Sequence, residues 1–196
     1  TESSRFSREK ICDDWSFVRD RLSNDYNVGI EKNGTIVLPM IFRSRSNNSS
    51  YCETKKIILF IENNFGVFDL NKGKWHIPLS YQDLSILDNN LMIARKGDKY
   101  GIIDFENKPI VNFEWKSINP ISQSNYVIVQ NDQKQYGILN LVTLKLTTPC
   151  NYKQLSRIDN TTNFMVTNFA GQKSFISFNN EPLLKNWYDE IHTVYS

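Results

Sequence analysis

An aromatic residue followed by glycine returns along this chain at almost constant spacing, and that period limits what the chain can fold into. Phe65-Gly66, Tyr100-Gly101 and Tyr136-Gly137 carry the signature, with Val28-Gly29 and Lys173-Ser174 as weaker copies. The small residues fall at 29, 66, 101, 137 and 174, so successive spacings are 37, 35, 36 and 37 residues. A period of this length marks an architecture in which each copy is one supersecondary unit.

A second column supports the alignment. About eleven residues after each small residue comes proline, then an aromatic and an aliphatic residue at steps of three. It reads Pro39 and Phe42; Pro78, Tyr81 and Leu84; Pro149, Tyr152 and Leu155. Two copies lose the proline: Asn112, Trp115 and Ile118, then Lys185, Tyr188 and Ile191. The first copy has Arg45 in the aliphatic position.

Within one copy, "YVIVQ" is a short β-branched run and "YGILNL" alternates with a period of two. The turns "EKNGT", "DLNKGK", "DFENK" and "SFNNE" are rich in Asn, Asp and Gly, which supply positive φ and local hydrogen bonds. "NYKQLSRI" completes the copy as a fourth short strand. Each copy therefore reads as an antiparallel meander of three or four strands. Glycine weakens a strand interior by roughly 0.5–1 kcal/mol relative to Ala, so its recurrence implies a close approach. The expectation is that each glycine packs on the neighbouring copy, with the aromatics as packing groups.

These residues resemble the WG-repeat family. "FGVFDLNKGK", "YGIIDFENK" and the trailing Pro-x-x-Tyr follow its pattern of Trp-Gly, two apolar residues, Asp, a Gly-containing turn, an apolar triplet, Pro and Tyr-Asp. The resemblance runs from Val28 to Ile191, with Tyr and Phe standing in for Trp and "WYDEI" closest to the family's tail. The family has no common catalytic residues to carry over. Short stand-alone WG-like proteins of bacteria resemble immunity proteins that neutralise a paired toxin.

The fold expected is all-β: five repeats of about 36 residues in a single domain spanning 1–196, forming a small β-propeller. The alternative is an open solenoid of β-hairpins. The units lie around 15–50, 51–88, 89–122, 123–159 and 160–196. Before Gly29, "WSFVRD" can supply a leading strand. Ile11, Trp15, Val18 and Leu22 also stand at helical spacing with Ser7 as a cap, so a short N-terminal helix is the competing reading.

Composition excludes more than it selects. The 23 basic and 21 acidic residues are interspersed at net charge +2, which gives no general field for nucleic acid or an anionic membrane. No apolar run approaches the roughly 20 residues that span a bilayer. The chain starts at Thr1 with no Met, which leaves a processed or trimmed N-terminus open. Cys12, Cys52 and Cys150 are odd in number and widely spaced, which reads as reduced thiols of a cytoplasmic protein.

His76 and His192 have no metal-ligand neighbours in sequence and read as strand-face residues. Asp69, Asp104, Asn140 and Ser177 stand three residues after their small residues, where they read as hairpin caps; Lys32 fills that place in the first copy. No second acidic column offers an acid/base pair. The expectation is therefore no enzyme, no cofactor and no metal.

A scaffold of this kind binds something. The expected partner is a protein, a cognate toxin domain (a nuclease among the options), occluded at its active site or substrate surface in a 1:1 complex with a monomer. Glycan or surface binding is the alternative. The broken copy, "FRSRSNNSSYCETKK", nominates Arg43, Arg45, Tyr51, Lys55 and Lys56 as interface residues. Asp13, Asp14, Asp189 and Glu190 would add an acidic patch if the termini meet.

Overall fold

The computed structural model describes residues 5–44, 51–87, 91–158 and 161–191. Among them the regular structure is antiparallel strand apart from one helical turn. The first copy comprises β1 (Phe6–Cys12), β2 (Trp15–Asp20), β3 (Val28–Lys32) and β4 (Thr35–Ser44). A single helical turn, α1 (Tyr51–Thr54), leads into β5 (Lys56–Ile61), β6 (Asn64–Asp69) and β7 (Lys74–Tyr81). The third copy holds β8 (Asp83–Leu87), β9 (Leu91–Lys96), β10 (Lys99–Asp104) and β11 (Pro109–Trp115). The fourth holds β12 (Ser117–Pro120), β13 (Tyr126–Gln130), β14 (Tyr136–Asn140) and β15 (Lys145–Tyr152). The fifth has β16 (Gln154–Arg157), β17 (Asn163–Thr167) and β18 (Lys173–Ser177).

In chain order the strands group into four sheets: β1–β7, β8–β11, β12–β15 and β16–β18. The chain also divides into two compact units, residues 1–97 with 103–108, and 98–102 with 109–196.

The N-terminal helix reading is corrected. Phe6–Cys12 and Trp15–Asp20 are paired strands, joined by a turn in which Asp13 takes φ 49°. Trp15 and Phe17 alternate inward, while Leu22, the last residue of the helical pattern, is 78% exposed. "WSFVRD" is the leading strand, and it pairs with β3.

The segment after each tail aromatic also behaves differently from the expected fourth strand. Gln154–Arg157 pairs with β17, and Ser117–Pro120 pairs with β13. The sheet break thus falls between Tyr152 and Gln154. That segment opens the next sheet and does not close its own.

The repeated glycine has its cause inside each copy, which corrects the expectation of packing on a neighbour. In the second copy Phe65 pairs with Tyr81, but Val67 pairs with Ile77, so two steps on one strand face four on the other. The same offset recurs at Val28↔Phe42 with Ile30↔Leu38, and at Tyr136↔Tyr152 with Ile138↔Thr148. The extra residues form a bulge that crosses directly over the glycine. A Cβ on Gly66 would lie 2.7 Å from the Ile77 carbonyl oxygen, and one on Gly137 2.6 Å from that of Thr148. Gly29 and Gly101 meet Leu38 O and Val111 O at the same 2.7 Å.

Pro39, Pro78 and Pro149 open the bulge, where a residue without an N–H costs the ladder nothing. The fifth copy confirms the rule by departing from it. After β18, among the described residues, isolated bridges, Lys173↔Tyr188 and Ile176↔Pro182, replace the third strand. A side chain then fits, and Ser174 is buried there with its Oγ 3.5 Å from Asn186 O.

The bulge places the tail ring against the next copy. Tyr81 donates its hydroxyl to Asn107 Oδ1 at 2.7 Å, and Tyr152 donates to Asn180 Oδ1 at 2.7 Å. Both asparagines sit in hairpin turns at positive φ, 65° and 63°. A second tie accompanies each: His76 Nε2 contacts Phe105 O, and Thr148 Oγ1 donates to Phe178 O at 3.4 Å. His76 is thus a strand-face residue, whereas His192 lies outside the described residues. The turn caps are as the sequence implies. Asp104 Oδ1 accepts from the amides of Glu106 and Lys108, and Asn140 Oδ1 from those of Val142 and Thr143. Asp69 and Ser177 accept in the same way.

The third-to-fourth junction lacks this tie. Trp115 replaces Tyr, and its buried Nε1 has no hydrogen-bond partner. Leu144, 47% exposed at φ 55°, lines a hollow together with Trp115. Leucine in the left-handed region is strained by roughly 1–2 kcal/mol, where asparagine is tolerated.

Three outcomes test this account. Gly137→Ala forces Cβ into backbone atoms and lowers stability by about 1–3 kcal/mol in urea titration; an unchanged midpoint would contradict the bulge. Leu144→Asn relieves the strained φ and supplies an acceptor for the indole, so it raises stability by about 0.5–1 kcal/mol, read in the same way. Burial raises the phenols of Tyr81 and Tyr152. The unfolded phenols, at about 10, deprotonate first. Their contribution is therefore complete below about pH 10 and is lost as pH rises through the folded values. The Tyr81→Phe/Tyr152→Phe double variant should lose less stability between pH 9 and 11 than the parent.

Candidate functional site

Of the nominated interface residues of the first unit, Lys56 and Arg43 line separate grooves, whereas Lys55 and Asp13 pair with each other. α1 follows the broken copy, and Lys55 after it takes φ 54°, which turns the chain into β5. The Lys55 carbonyl accepts from Leu70 N at 2.8 Å, so the turn is fixed against the second copy's hairpin. Its ammonium then points back to the first copy, bonding Asp13 Oδ2 at 2.6 Å and lying 3.6 Å from Cys12 Sγ. The hydrogen bond to Asp13 raises Lys55, and the bond to Lys55 lowers Asp13. The structure therefore brings together one basic and one acidic residue that the sequence assigns to different patches.

Lys56 continues into a groove of about 580 Å³ lined by Glu53, Thr54, Asp104, Phe105 and Glu106. Its Nζ lies 5.4 Å from the Phe105 ring centroid, a cation–π contact. The groove carries three carboxylates against one ammonium, a local charge that the balanced composition conceals.

Arg43 lines a second groove of about 380 Å³ with Asn27, Ile41, Phe60, Ile61 and Glu62. Ile41 is 45% exposed, and Phe60 is held by stacking on Phe65 at 4.5 Å. An exposed guanidinium beside fixed apolar groups suits protein contacts. Asp14 instead bonds Asn33 Nδ2 at 3.0 Å within the hairpin turns. Arg45 lies outside the described residues, as does the side chain of Tyr51, which opens α1. Asp189 and Glu190 are exposed in the second unit.

Sequence reading missed Glu31. In the other four copies its column holds the buried residues Phe68, Ile103, Leu139 and Ile176. Glu31 is equally buried, accepts from Arg8 Nε at 2.8 Å through Oε1, and leaves Oε2 without a partner. The signal was present: one carboxylate in an otherwise apolar column. The second unit has its own exposed network, in which Lys99 bonds Asp132 and Lys116 bonds Asp98. Exposed pairs of this kind add little to stability.

The family model described as WG containing repeat matches residues 65–100 and 100–134, two consecutive copies that together make just over a third of the chain. Residues 65–134 thus carry WG-type repeats. No curated protein matches the chain. Among solved structures, Kluyveromyces lactis Hsv2 is similar at 8% identity and TM-score 0.46, over 90% of this chain and 64% of that one. The Saccharomyces cerevisiae assembly of Dbp5 bound to Nup159, Gle1, IP6 and ADP gives 9% identity and TM-score 0.46, over 70% and 42%. BamB from Moraxella catarrhalis gives 11% identity and TM-score 0.42, over 88% and 58%. The chain spans less than two thirds of the length of each. No helix among the described residues is long and apolar enough to cross a membrane.

Proposed function

We propose that the chain is a WG-repeat scaffold from Val28 to Ile191, its five copies arranged as a small β-propeller. Its role is that of a cytoplasmic immunity protein, which binds a cognate bacterial toxin domain 1:1 and occludes its active site or substrate surface. The observation that carries this reading is the Arg43 groove. It offers an exposed guanidinium between Ile41 and Phe60, with the ring already fixed by stacking. A ring already held in place gives contact area at little entropic cost, and arginine is enriched among the residues that dominate binding energy. The separate acidic groove around Lys56 adds a charge pattern suited to a partner bearing basic groups, as a nuclease does. Glycan binding, the alternative, calls for rings in equivalent pockets of successive copies. The exposed Tyr26 and Phe169 hold different repeat positions, so nothing specific favours it.

The test is titration of the purified chain against the toxin domain encoded beside it. A 1:1 complex and loss of toxicity are expected. Arg43→Glu should weaken binding about tenfold or more, roughly 1.4 kcal/mol, with thermal stability unchanged. Absence of a toxin-like neighbour, together with a rise in Tm on adding glycans, would sink the proposal.

A further inference from the structure

We propose that Cys12 and Cys52 form a disulfide site, at which exchange with a small disulfide such as oxidised glutathione links the β1–β2 turn to α1. This stands apart from partner binding and rests on the thiols' placement alone. Cys12 ends β1 and is 2% exposed, its Sγ 3.6 Å from Lys55 Nζ. Cys52, in α1, is exposed, and its Sγ lies 3.1 Å from the Ile11 carbonyl oxygen, in the peptide group that precedes Cys12. Cys52 Sγ is thus set against the backbone at the Ile11–Cys12 peptide, beside the buried thiol. One is therefore open to reagent and the other waits behind it, the arrangement of an attacking and a resolving cysteine.

The exchange balances. Cys52 loses its proton and attacks one sulfur of the glutathione disulfide; that S–S bond breaks and a glutathione thiolate leaves. Cys12 then loses its proton, and its thiolate attacks Cys52 Sγ, expelling the second glutathione thiolate. Two protein thiols are oxidised, and one glutathione disulfide is reduced to two thiols that take up the two protons. Burial raises the Cys12 thiol, and the Lys55 ammonium, itself shared with Asp13, opposes that rise. The second step is intramolecular, with Cys52 Sγ held at the peptide that precedes Cys12, which offsets a small thiolate fraction. Cys150 has no comparable opening. It lies over Gly137 in the other unit, and burial pushes its thiol up to about 11.

The experiment incubates the reduced full chain with oxidised glutathione and maps cysteine peptides by non-reducing mass spectrometry. A Cys12–Cys52 linked peptide, two hydrogens lighter than its parts, with Cys150 still free, is expected. In Cys12→Ser, glutathione should remain on Cys52, because nothing displaces it. In Cys52→Ser, Cys12 should stay unmodified. A wild-type chain that keeps glutathione on Cys52, dimerises through Cys52, or leaves Cys52 unreacted overturns the proposal.

Discussion

The passage of a bulged strand over a residue with no side chain is the contact on which the rest of this structure depends. Two extra residues in the strand after each glycine lift its backbone to within 2.7 Å of where a Cβ would stand. Only glycine accepts that approach. The same excess of backbone frees one position from the ladder, so proline can open the bulge. It also turns the strand's last ring outward, toward the following copy. Glycine, proline and tyrosine are therefore three consequences of one register shift, and their common period follows from it.

The ring then does work that the glycine does not. Tyr81 and Tyr152 reach asparagines held at positive φ in the next hairpin turn. Asparagine serves there twice, tolerating the left-handed backbone and accepting the phenol proton. A residue that satisfies local turn geometry also joins two copies, so local and long-range preferences agree. Where Trp115 and Leu144 stand, both halves fail together, and the indole N–H is left unpaired.

Much of this was legible in the sequence. The period, the strand character and the capping of turns by Asp69, Asp104, Asn140 and Ser177 were readable because they depend on residues close together in the chain. The cause of the glycine was not. A register shift is a relation between two strands, and the string "YGILNL" is the same whether the close neighbour is its own hairpin or another copy. The N-terminal segment was ambiguous for a different reason: Ile11, Trp15 and Val18 fit a helical face, and the turn at Asp13 that makes them strands has no glycine to announce it. The pairing of Lys55 with Asp13 and the approach of Cys52 to the Ile11–Cys12 peptide were beyond reach, since α1 interrupts the period that guided the reading.

The departures from the module concentrate in its first copy. That copy opens on β1, the counterpart of β8, β12 and β16, and is followed by the inserted α1. It alone replaces an apolar column residue with a buried carboxylate, Glu31. The arginine that neutralises this carboxylate, Arg8, comes from that opening strand. Glu31 depends on Arg8: a buried carboxylate without its partner is strongly unfavourable, and a well-packed apolar residue there would be at least as stable as the pair. The ion pair is therefore poorly explained as a source of stability and better explained as what fixes β1 in register on β2. That register places Cys12 and Asp13 where α1 and Lys55 meet them, and so decides the chemistry of the one face on which the repeat is broken.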